Sequence, residues 1–154
     1  MRGKKIALVA ATVVALVAGS TFAGSSAQAA GKQKTIGVAV ADQKSLFYIA
    51  AVDGMKKAAK ANNVKLIVLS ADNDANKQVG QVNSLLTQNI DALVFIAQDA
   101  TAAAAGVKAA NKAKVPVIAV DEKPEAGNGV LATYIATNSV TAADQLCTWL
   151  FKQI

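Results

Sequence analysis

Residues 35–70 read TIGVAVADQKSLFYIAAVDGMKKAAKANNVKLIVLS, and this stretch decides the fold. Residues 35–40 and 64–69 are short, almost wholly apolar runs, which is typical of strands covered on both faces. Between them, residues 45–62 predict a helix with Ser45 as its N-cap and Asn62-Asn63 as its stop. Lysines occupy one side of this helix, and we expect the opposite side to be buried, namely Phe47, Ala50, Ala51, Met55, Ala58 and Ala59.

The same pattern recurs along the rest of the chain. Strands are predicted at 92–96, 115–120 and 131–136, and helices at 75–88, at 101–113 and from 141 onward. Strands that alternate with helices across short polar loops indicate an α/β fold, a parallel sheet flanked by helices with right-handed crossovers. Helix 75–88 is expected to bury its apolar side chains, which are Val79, Val82, Leu85 and Leu86.

The first residues have the three parts of a secretory signal peptide. A basic start (Arg2, Lys4 and Lys5) precedes an uncharged apolar run at 6–18, and Ala-Gln-Ala at 27–29 forms a cleavage signal. A membrane anchor is the alternative, but a span needs about 20 apolar residues, and polar residues from Gly19 interrupt this one. We therefore expect 1–29 to be a signal peptide cleaved after Ala29, a polar leader at 30–34, and a periplasmic protein.

Composition argues against several classes of function. Removing the three leader cations from the net charge of +6 leaves +3, spread along the chain, so no nucleic-acid partner is expected. The sequence has no histidine, which is the commonest general base and metal ligand, and no catalytic or nucleotide-binding motif. We expect no enzyme, no cofactor and no metal. The single cysteine, Cys147, is expected to be a small buried hydrophobe.

The predicted topology also locates a ligand site. In open parallel sheets the ligand crevice lies beyond the carboxyl ends of the strands, which here are followed by loops at 41–46, 70–76, 97–101 and 121–123. Carboxylates and amides bind hydroxyl groups, and aromatic faces pack on the apolar side of a sugar ring. The lining therefore suits a hydroxyl-rich ligand; it comprises Asp42, Lys44, Ser45, Phe47, Tyr48, Asp72, Asn73, Asp74, Gln98, Asp99, Asp121 and Glu122.

Several of these residues have a structural explanation. Asp72 and Asp74 are typical loop or capping residues, and Asp99 is a candidate cap for the next helix. Phe47 fits the core side of its helix, which would leave Tyr48 at the rim. Asp121 differs because it directly follows a buried strand, where its carboxylate would emerge at the crevice, so we favour a ligand contact there.

Six short motifs in this order resemble the periplasmic ribose/galactose-type binding proteins: TIGV at 35–38, FY at 47–48, DG at 53–54, NIDAL at 89–93, VPVIAVD at 115–121 and ATYIATN at 132–138. The resemblance implies a type I, two-lobed clamp that closes by a hinge around a monosaccharide or polyol. It also implies delivery of that ligand to an ABC permease in the inner membrane. In the family pattern, Ser45 matches a polar ligand contact, Phe47 and Tyr48 match aromatic residues that bracket the sugar, and Asp121 matches the carboxylate that binds its hydroxyls.

Two positions depart from the ribose-type pattern. Leu46 stands where that pattern has proline, and Glu122 stands where it has arginine. An arginine guanidinium has five hydrogen-bond donors, whereas an ionised carboxylate only accepts hydrogen bonds. The ligand group that contacts this position must therefore be a donor and not an acceptor. The expected ligand is therefore a different pentose or hexose, a polyol, or an amino-bearing compound, with Glu122 among its contacts.

The resemblance divides the mature chain into two parts. Residues 35–131 correspond to the N-terminal lobe, and 132–154 to the hinge crossing and the first helix of a second lobe that we expect this chain to lack. That helix has an apolar stripe which needs a partner, unless it folds back on the first lobe. A chemotaxis or sensing subunit and a truncated, non-binding remnant remain alternatives to an importer component, whereas the export signal disfavours a sugar-responsive repressor. The stripe consists of Ala143, Leu146, Cys147, Leu150 and Phe151.

Overall fold

Five parallel strands and four helices make up the computed structural model, which describes residues 32–125 and 129–154. The strands are β1 (Thr35–Val40), β2 (Lys65–Ser70), β3 (Ala92–Ile96), β4 (Val117–Val120) and β5 (Thr133–Ile135). The helices are α1 (Leu46–Ala61), α2 (Ala75–Thr87), α3 (Ala100–Lys112) and α4 (Ser139–Phe151). The predicted parallel α/β sheet flanked by helices is confirmed, and the signal peptide and cleavage site predicted at 1–29 lie outside the described residues.

The sheet has the strand order β2-β1-β3-β4-β5. All four neighbouring pairs are parallel, and β1 pairs with β2 on one side and β3 on the other. The strand order therefore reverses between β1 and β3, because the chain passes outward to β2 and then returns across β1. Ligands of open α/β sheets bind at such a switch point, beyond the carboxyl ends of the strands.

The sheet is packed on two sides by clusters of different size. The larger cluster joins α2 and α3 to the sheet through Val82, Leu85, Phe95 and Val107, all of which are buried. Gly106 allows α3 to approach closely, since a Cβ there would lie 3.0 Å from the Phe95 ring. The smaller cluster centres on Val40, Val52 and Ile96 and includes α1. This second cluster anchors the helix that carries the predicted aromatic contacts.

The buried face of α1 differs from the prediction. Phe47, Ala50 and Ala58 are exposed, whereas Val52, which was not predicted, is buried. The side chains that face the sheet are spaced as one face of a helix, and they are Tyr48, Ala51, Val52, Met55 and Ala59. Ala51, Met55 and Ala59 agree with the prediction, so the observed face overlaps the predicted one and is rotated toward Val52.

Most predicted boundaries agree with the structure within two residues. β4 begins at Val117 and not at Val115, and the intervening Pro116 has no N–H to donate to a neighbouring strand. β5 is only three residues long, and all three are exposed. Among the described residues, no helix has the length and apolar character that a membrane span requires.

α4 is exposed along its whole length. None of its 13 residues is buried, and the apolar stripe predicted on it is exposed at Leu146, Leu150 and Phe151. The prediction that Cys147 is a buried hydrophobe is wrong, because its side chain lies on this uncovered helix. Burial of α4 against the lobe, the alternative considered from the sequence, is not observed in the described part of the chain.

Candidate functional site

The loop after β1 is organised by a buried carboxylate. Asp42 is only 5% exposed. Its Oδ1 accepts from the Lys44 amide at 2.9 Å, and its Oδ2 accepts from the Ser45 amide at 3.2 Å. Ser45 occupies the N-cap position as predicted, but its side chain makes no capping hydrogen bond. Asp42 therefore holds the turn that begins α1, and the exposed Ser45 hydroxyl does not cap the helix.

Two aromatic side chains begin α1 and face different surroundings. Tyr48 is half-buried and packs on the cluster of Val40, Val52 and Ile96. Phe47 is 52% exposed. The two rings meet edge to face, with centroids 5.2 Å apart and planes at 76°. The structural explanation considered for this pair put Phe47 in the core and Tyr48 at the rim; the structure contradicts it, because Tyr48 is the more buried of the two and Phe47 is exposed.

The turn after β4 carries two exposed carboxylates, Asp121 and Glu122. Asp121 has a φ of +66°, a left-handed conformation that aspartate tolerates better than most residues. Its amide donates to the Ile135 carbonyl at 2.9 Å, and its own carbonyl accepts from Tyr134 Oη at 2.8 Å. β5 therefore fixes the backbone of Asp121, while the carboxylate extends into solvent.

Phe47 and Asp121 line the same open depression, which has a volume of about 300 Å³. Phe47 comes from the start of α1 and Asp121 from the end of β4, so the fold brings together residues 74 positions apart in the sequence. Ser45, Tyr48 and Glu122 are not among the lining residues. The remaining lining residues are Val120, Ile135, Ala136 and Thr137.

Tyr48, another predicted contact, is influenced by three carboxylates. The pKa of Tyr48 is raised above its usual value, first by burial and then by the negative charges of Asp121, Asp42 and Glu122. These three carboxylates therefore lie within electrostatic range of the phenol. Tyr48 remains protonated at neutral pH and can act as a hydrogen-bond donor. The result is an acceptor-rich wall with one phenolic donor and one exposed aromatic face.

Polar residues of the neighbouring loops serve the fold. Asp74 accepts from the Lys77 amide at 2.9 Å and caps α2, and Asp99 accepts from the Ala102 amide at 2.7 Å and caps α3. The structural explanation of these two residues is confirmed. Asp72 pairs with the Lys77 side chain, whose hydrogen bond and charge lower the pKa of Asp72. Within residues 32–125 and 129–154, no group of acidic or cysteine side chains could hold a metal ion.

Two features of the site were missed in the sequence. Gln78 is buried, donates to the Ile96 carbonyl at 2.8 Å and accepts from the Gln98 amide at 2.8 Å, so it ties α2 to the end of β3. Its spacing from Val82 and Leu85, on the buried face of α2, could have revealed it. Thr137 was assigned only to the hinge crossing, although it follows the carboxyl end of β5, where the strand-end rule also predicts ligand contacts.

A family model described as the periplasmic binding protein domain matches residues 36–154. This chain belongs to that family. The resemblance inferred from the six motifs is thereby confirmed over residues 36–154. The matched residues include the parallel sheet and the depression at the carboxyl ends of its strands.

Individual relatives of this periplasmic binding protein domain are named for small polyhydroxy ligands. The ribose import binding protein of Bacillus subtilis is 31% identical over 123 residues, which are 80% of this chain and 40% of that protein. The xylitol-binding protein of Mycolicibacterium smegmatis is 39% identical over 127 residues, 79% of this chain and 36% of that protein. The chain thus spans about two fifths of the length of these relatives, and both are binding proteins by name.

The fold is also similar to that of a solved structure. An ABC transporter solute binding protein from Mycobacterium smegmatis with bound glycerol superposes with a TM-score of 0.62 at 32% identity. The match covers 66% of this chain and 34% of that protein. The fold is therefore that of one part of a solute-binding protein.

Proposed function

We propose that this chain is the N-terminal ligand-binding lobe of the solute-binding component of an ABC-type importer, with a sugar or polyol as ligand. The observation that carries the proposal is the meeting of Phe47 and Asp121 in one depression at the carboxyl ends of the strands. The names of the related proteins support the ligand class and the transport role.

The chemistry of the depression matches a hydroxyl-rich ligand. The Asp121 carboxylate accepts charge-assisted hydrogen bonds from vicinal hydroxyls. The exposed ring of Phe47 covers the C–H face of the ligand, as aromatic rings do with sugars. Glu122 and Tyr48 are close enough to contribute an acceptor and a donor once a ligand lies against Asp121. Ser45, two residues before Phe47, offers an exposed hydroxyl that does not cap the helix.

Within that class, the wall favours an open-chain polyol. The ring oxygen of a cyclic sugar accepts hydrogen bonds and needs a donor from the protein, whereas every oxygen of a polyol is a hydroxyl that can donate. Glu122 replaces the arginine of the ribose-type pattern, so the donor that a ring oxygen would use is absent from that position. The xylitol-binding relative and the glycerol-bound neighbour point to the same preference.

The proposal includes the organisation of the remaining residues. Residues 1–29 act as a signal peptide that is removed after Ala29, which delivers the protein to the periplasm. Residues 132–154 form the crossing and first helix toward a second lobe, for which the exposed stripe of α4 provides a contact surface. An ABC permease in the inner membrane is the partner that receives the ligand.

An NMR titration of the isotope-labelled chain with xylitol, ribitol, ribose and glucose tests the proposal. We expect weak, saturable binding in the millimolar range, with polyols preferred and with the amide signals of Phe47, Asp121 and Thr137 shifting together. Binding is weak because the depression is open, whereas typical ligand pockets enclose about 70–90% of the ligand surface. Succinate is the matched control, since the acidic wall repels it. Shifts scattered over the surface, or equal shifts with succinate, contradict the proposal.

A further inference from the structure

We propose that Tyr134 is a positioning residue for the ligand site: it holds the turn at 121–123 so that Asp121 presents its carboxylate to the depression. This inference rests on the proposed function for its ligand, but the geometry that supports it does not depend on any ligand. Tyr134 lies in β5, the strand next to β4.

The first observation is that β5 fixes the backbone of Asp121 by two hydrogen bonds. Tyr134 Oη donates to the Asp121 carbonyl at 2.8 Å, and the Asp121 amide donates to the Ile135 carbonyl at 2.9 Å. Both backbone polar groups of Asp121 are therefore satisfied by adjacent residues of one strand. Only the amide contact belongs to the backbone pairing of the strands, so the hydroxyl of Tyr134 adds a second, side-chain anchor.

The second observation is the conformation that this anchor holds. Asp121 has a φ of +66°. A residue other than glycine adopts such a conformation at a cost in free energy, and it persists where surrounding contacts fix it. Rotation of Asp121 to a negative φ would redirect its carbonyl away from Tyr134 and its carboxylate away from the depression. The tyrosine hydroxyl therefore stabilises the orientation in which the carboxylate lines the site.

The third observation is the cation above the same ring. Lys123 Nζ lies 5.6 Å from the centroid of Tyr134, a cation–π contact. Tyr134 thus contacts the residues on both sides of Glu122, one through its hydroxyl and the other through its ring. Among the described residues, no ion pair joins Lys123 to Asp121 or Glu122. The ammonium group thus lies over the ring and does not occupy the carboxylate oxygens of Asp121 or Glu122.

Core packing does not explain the tyrosine. Its side chain is 40% exposed, and all three residues of β5 are exposed. Phenylalanine at this position would preserve the apolar contacts and lose only the hydrogen bond to Asp121. Tyr134→Phe is therefore the informative substitution. Thr133→Val is the matched control, because it removes an exposed hydroxyl from the same strand with little change in shape.

Amide hydrogen exchange of the full chain tests, without any ligand, whether Tyr134 stabilises the turn at 121–123. In Tyr134→Phe we expect the amide of Asp121, which donates to the Ile135 carbonyl, to exchange faster by about 2- to 12-fold, the range that corresponds to one net hydrogen bond. Exchange in β1 and β3, and in Thr133→Val, should stay unchanged. Unchanged exchange at Asp121 overturns the positioning role.

Ligand binding tests the consequence. Tyr134→Phe should weaken xylitol binding by a factor in the same range, about 2- to 12-fold, while Thr133→Val leaves it unchanged. In the background of Asp121→Ala the substitution should have a smaller effect, because the main carboxylate to be positioned is gone. Equal effects in both backgrounds overturn the inference. If the unmodified chain binds no polyol, the proposed function fails, and the exchange measurement still decides whether Tyr134 holds the turn.

Discussion

Asp42 and Asp121 both follow strands that end at the crevice, yet the structure uses them in opposite ways. Asp42 comes two residues after β1 and is 5% exposed, with each carboxylate oxygen bonded to a backbone amide. Asp121 comes directly after β4 and is exposed. Its backbone is fixed by β5, but its carboxylate accepts no hydrogen bond within the described residues. One carboxylate completes the fold, and the other is available to a ligand.

The next element along the chain explains the difference. α1 begins at Leu46, shortly after Asp42, and its first amides need acceptors. β4 is followed by a connection to β5 in which the described residues form no helix, so no helix N-terminus competes for the Asp121 carboxylate. A carboxylate at the end of a strand is therefore available for ligand binding when no helix begins beside it. The capping roles of Asp74 and Asp99, ahead of α2 and α3, follow the same rule.

The largest effect that this comparison predicts is a loss of stability in Asp42→Ala. The substitution removes the two charge-assisted hydrogen bonds of the turn and leaves the amides of Lys44 and Ser45 without their acceptor. We expect the free energy of unfolding to fall by about 2–3 kcal/mol, measured by urea denaturation followed by circular dichroism. Asp53→Ala is the control, because Asp53 is an exposed carboxylate on α1 whose loss should change stability by less than about 0.5 kcal/mol. Equal losses in the two variants would show that Asp42 is not a structural residue.

Asp121 should respond in the opposite way, with a large effect on binding and a small one on stability. We expect Asp121→Ala to weaken polyol binding by about 1.5–3 kcal/mol, the range for a hydrogen bond to a charged group. Calorimetry measures the affinity, and the urea midpoint reports stability.

Asp121→Asn distinguishes the loss of the negative charge from a change in backbone conformation, since asparagine also tolerates a positive φ. It should lose most of the affinity lost by Asp121→Ala and keep the stability of the unmodified chain. Unchanged affinity in both variants would make Asp121 a structural residue like Asp42 and would remove the contrast between them.

The sheet was predictable from sequence because its signals are local. The runs at β1 and β3 consist of apolar residues bounded by polar loops, and both strands have the predicted bounds. The core position considered for Phe47 was wrong because the spacing of apolar residues fixes the helical period better than it fixes which side of the helix faces the sheet. Val52 and Tyr48 face the sheet only because α1 lies across β1 and β3 in one particular orientation, which is a tertiary property.

The loops that form the site and the capping roles of Asp74 and Asp99 were predictable, but the role of Asp42 was not. The rule of strand ends included both Asp42 and Asp121, and it could not say which carboxylate is buried. That distinction depends on where the amides of Lys44 and Ser45 point. Likewise, nothing in the alternation around Tyr134 indicates that its hydroxyl reaches Asp121, because this contact depends on the register between β4 and β5.

Asp91 is a third case, with the smallest expected effect: its carboxylate is exposed but still accepts hydrogen bonds from the protein. It precedes β3 at the end of the sheet opposite the crevice, and it accepts from Lys34 Nζ at 2.7 Å and from the Thr35 amide at 2.8 Å. The hydrogen bond from Lys34 and then that from Thr35 lower its pKa below the ordinary value of 3.8. Exposure alone therefore does not identify a carboxylate that is free for a ligand.

The sign of the pH dependence follows from that lowered pKa. The contribution of Asp91 to stability is complete above pH 3.8 and is lost as the pH falls toward the lower pKa of the folded state. Thermal unfolding of Asp91→Asn and of the unmodified chain between pH 6 and pH 2 measures it. The two melting temperatures should converge as the pH falls, with a gap at neutral pH smaller than that of Asp42→Ala, because the exposed ion pair is screened by solvent. Ligand affinity should not change, since Asp91 lies at the opposite end of the sheet, and a gap that widens in acid would contradict the role of Lys34 and Thr35.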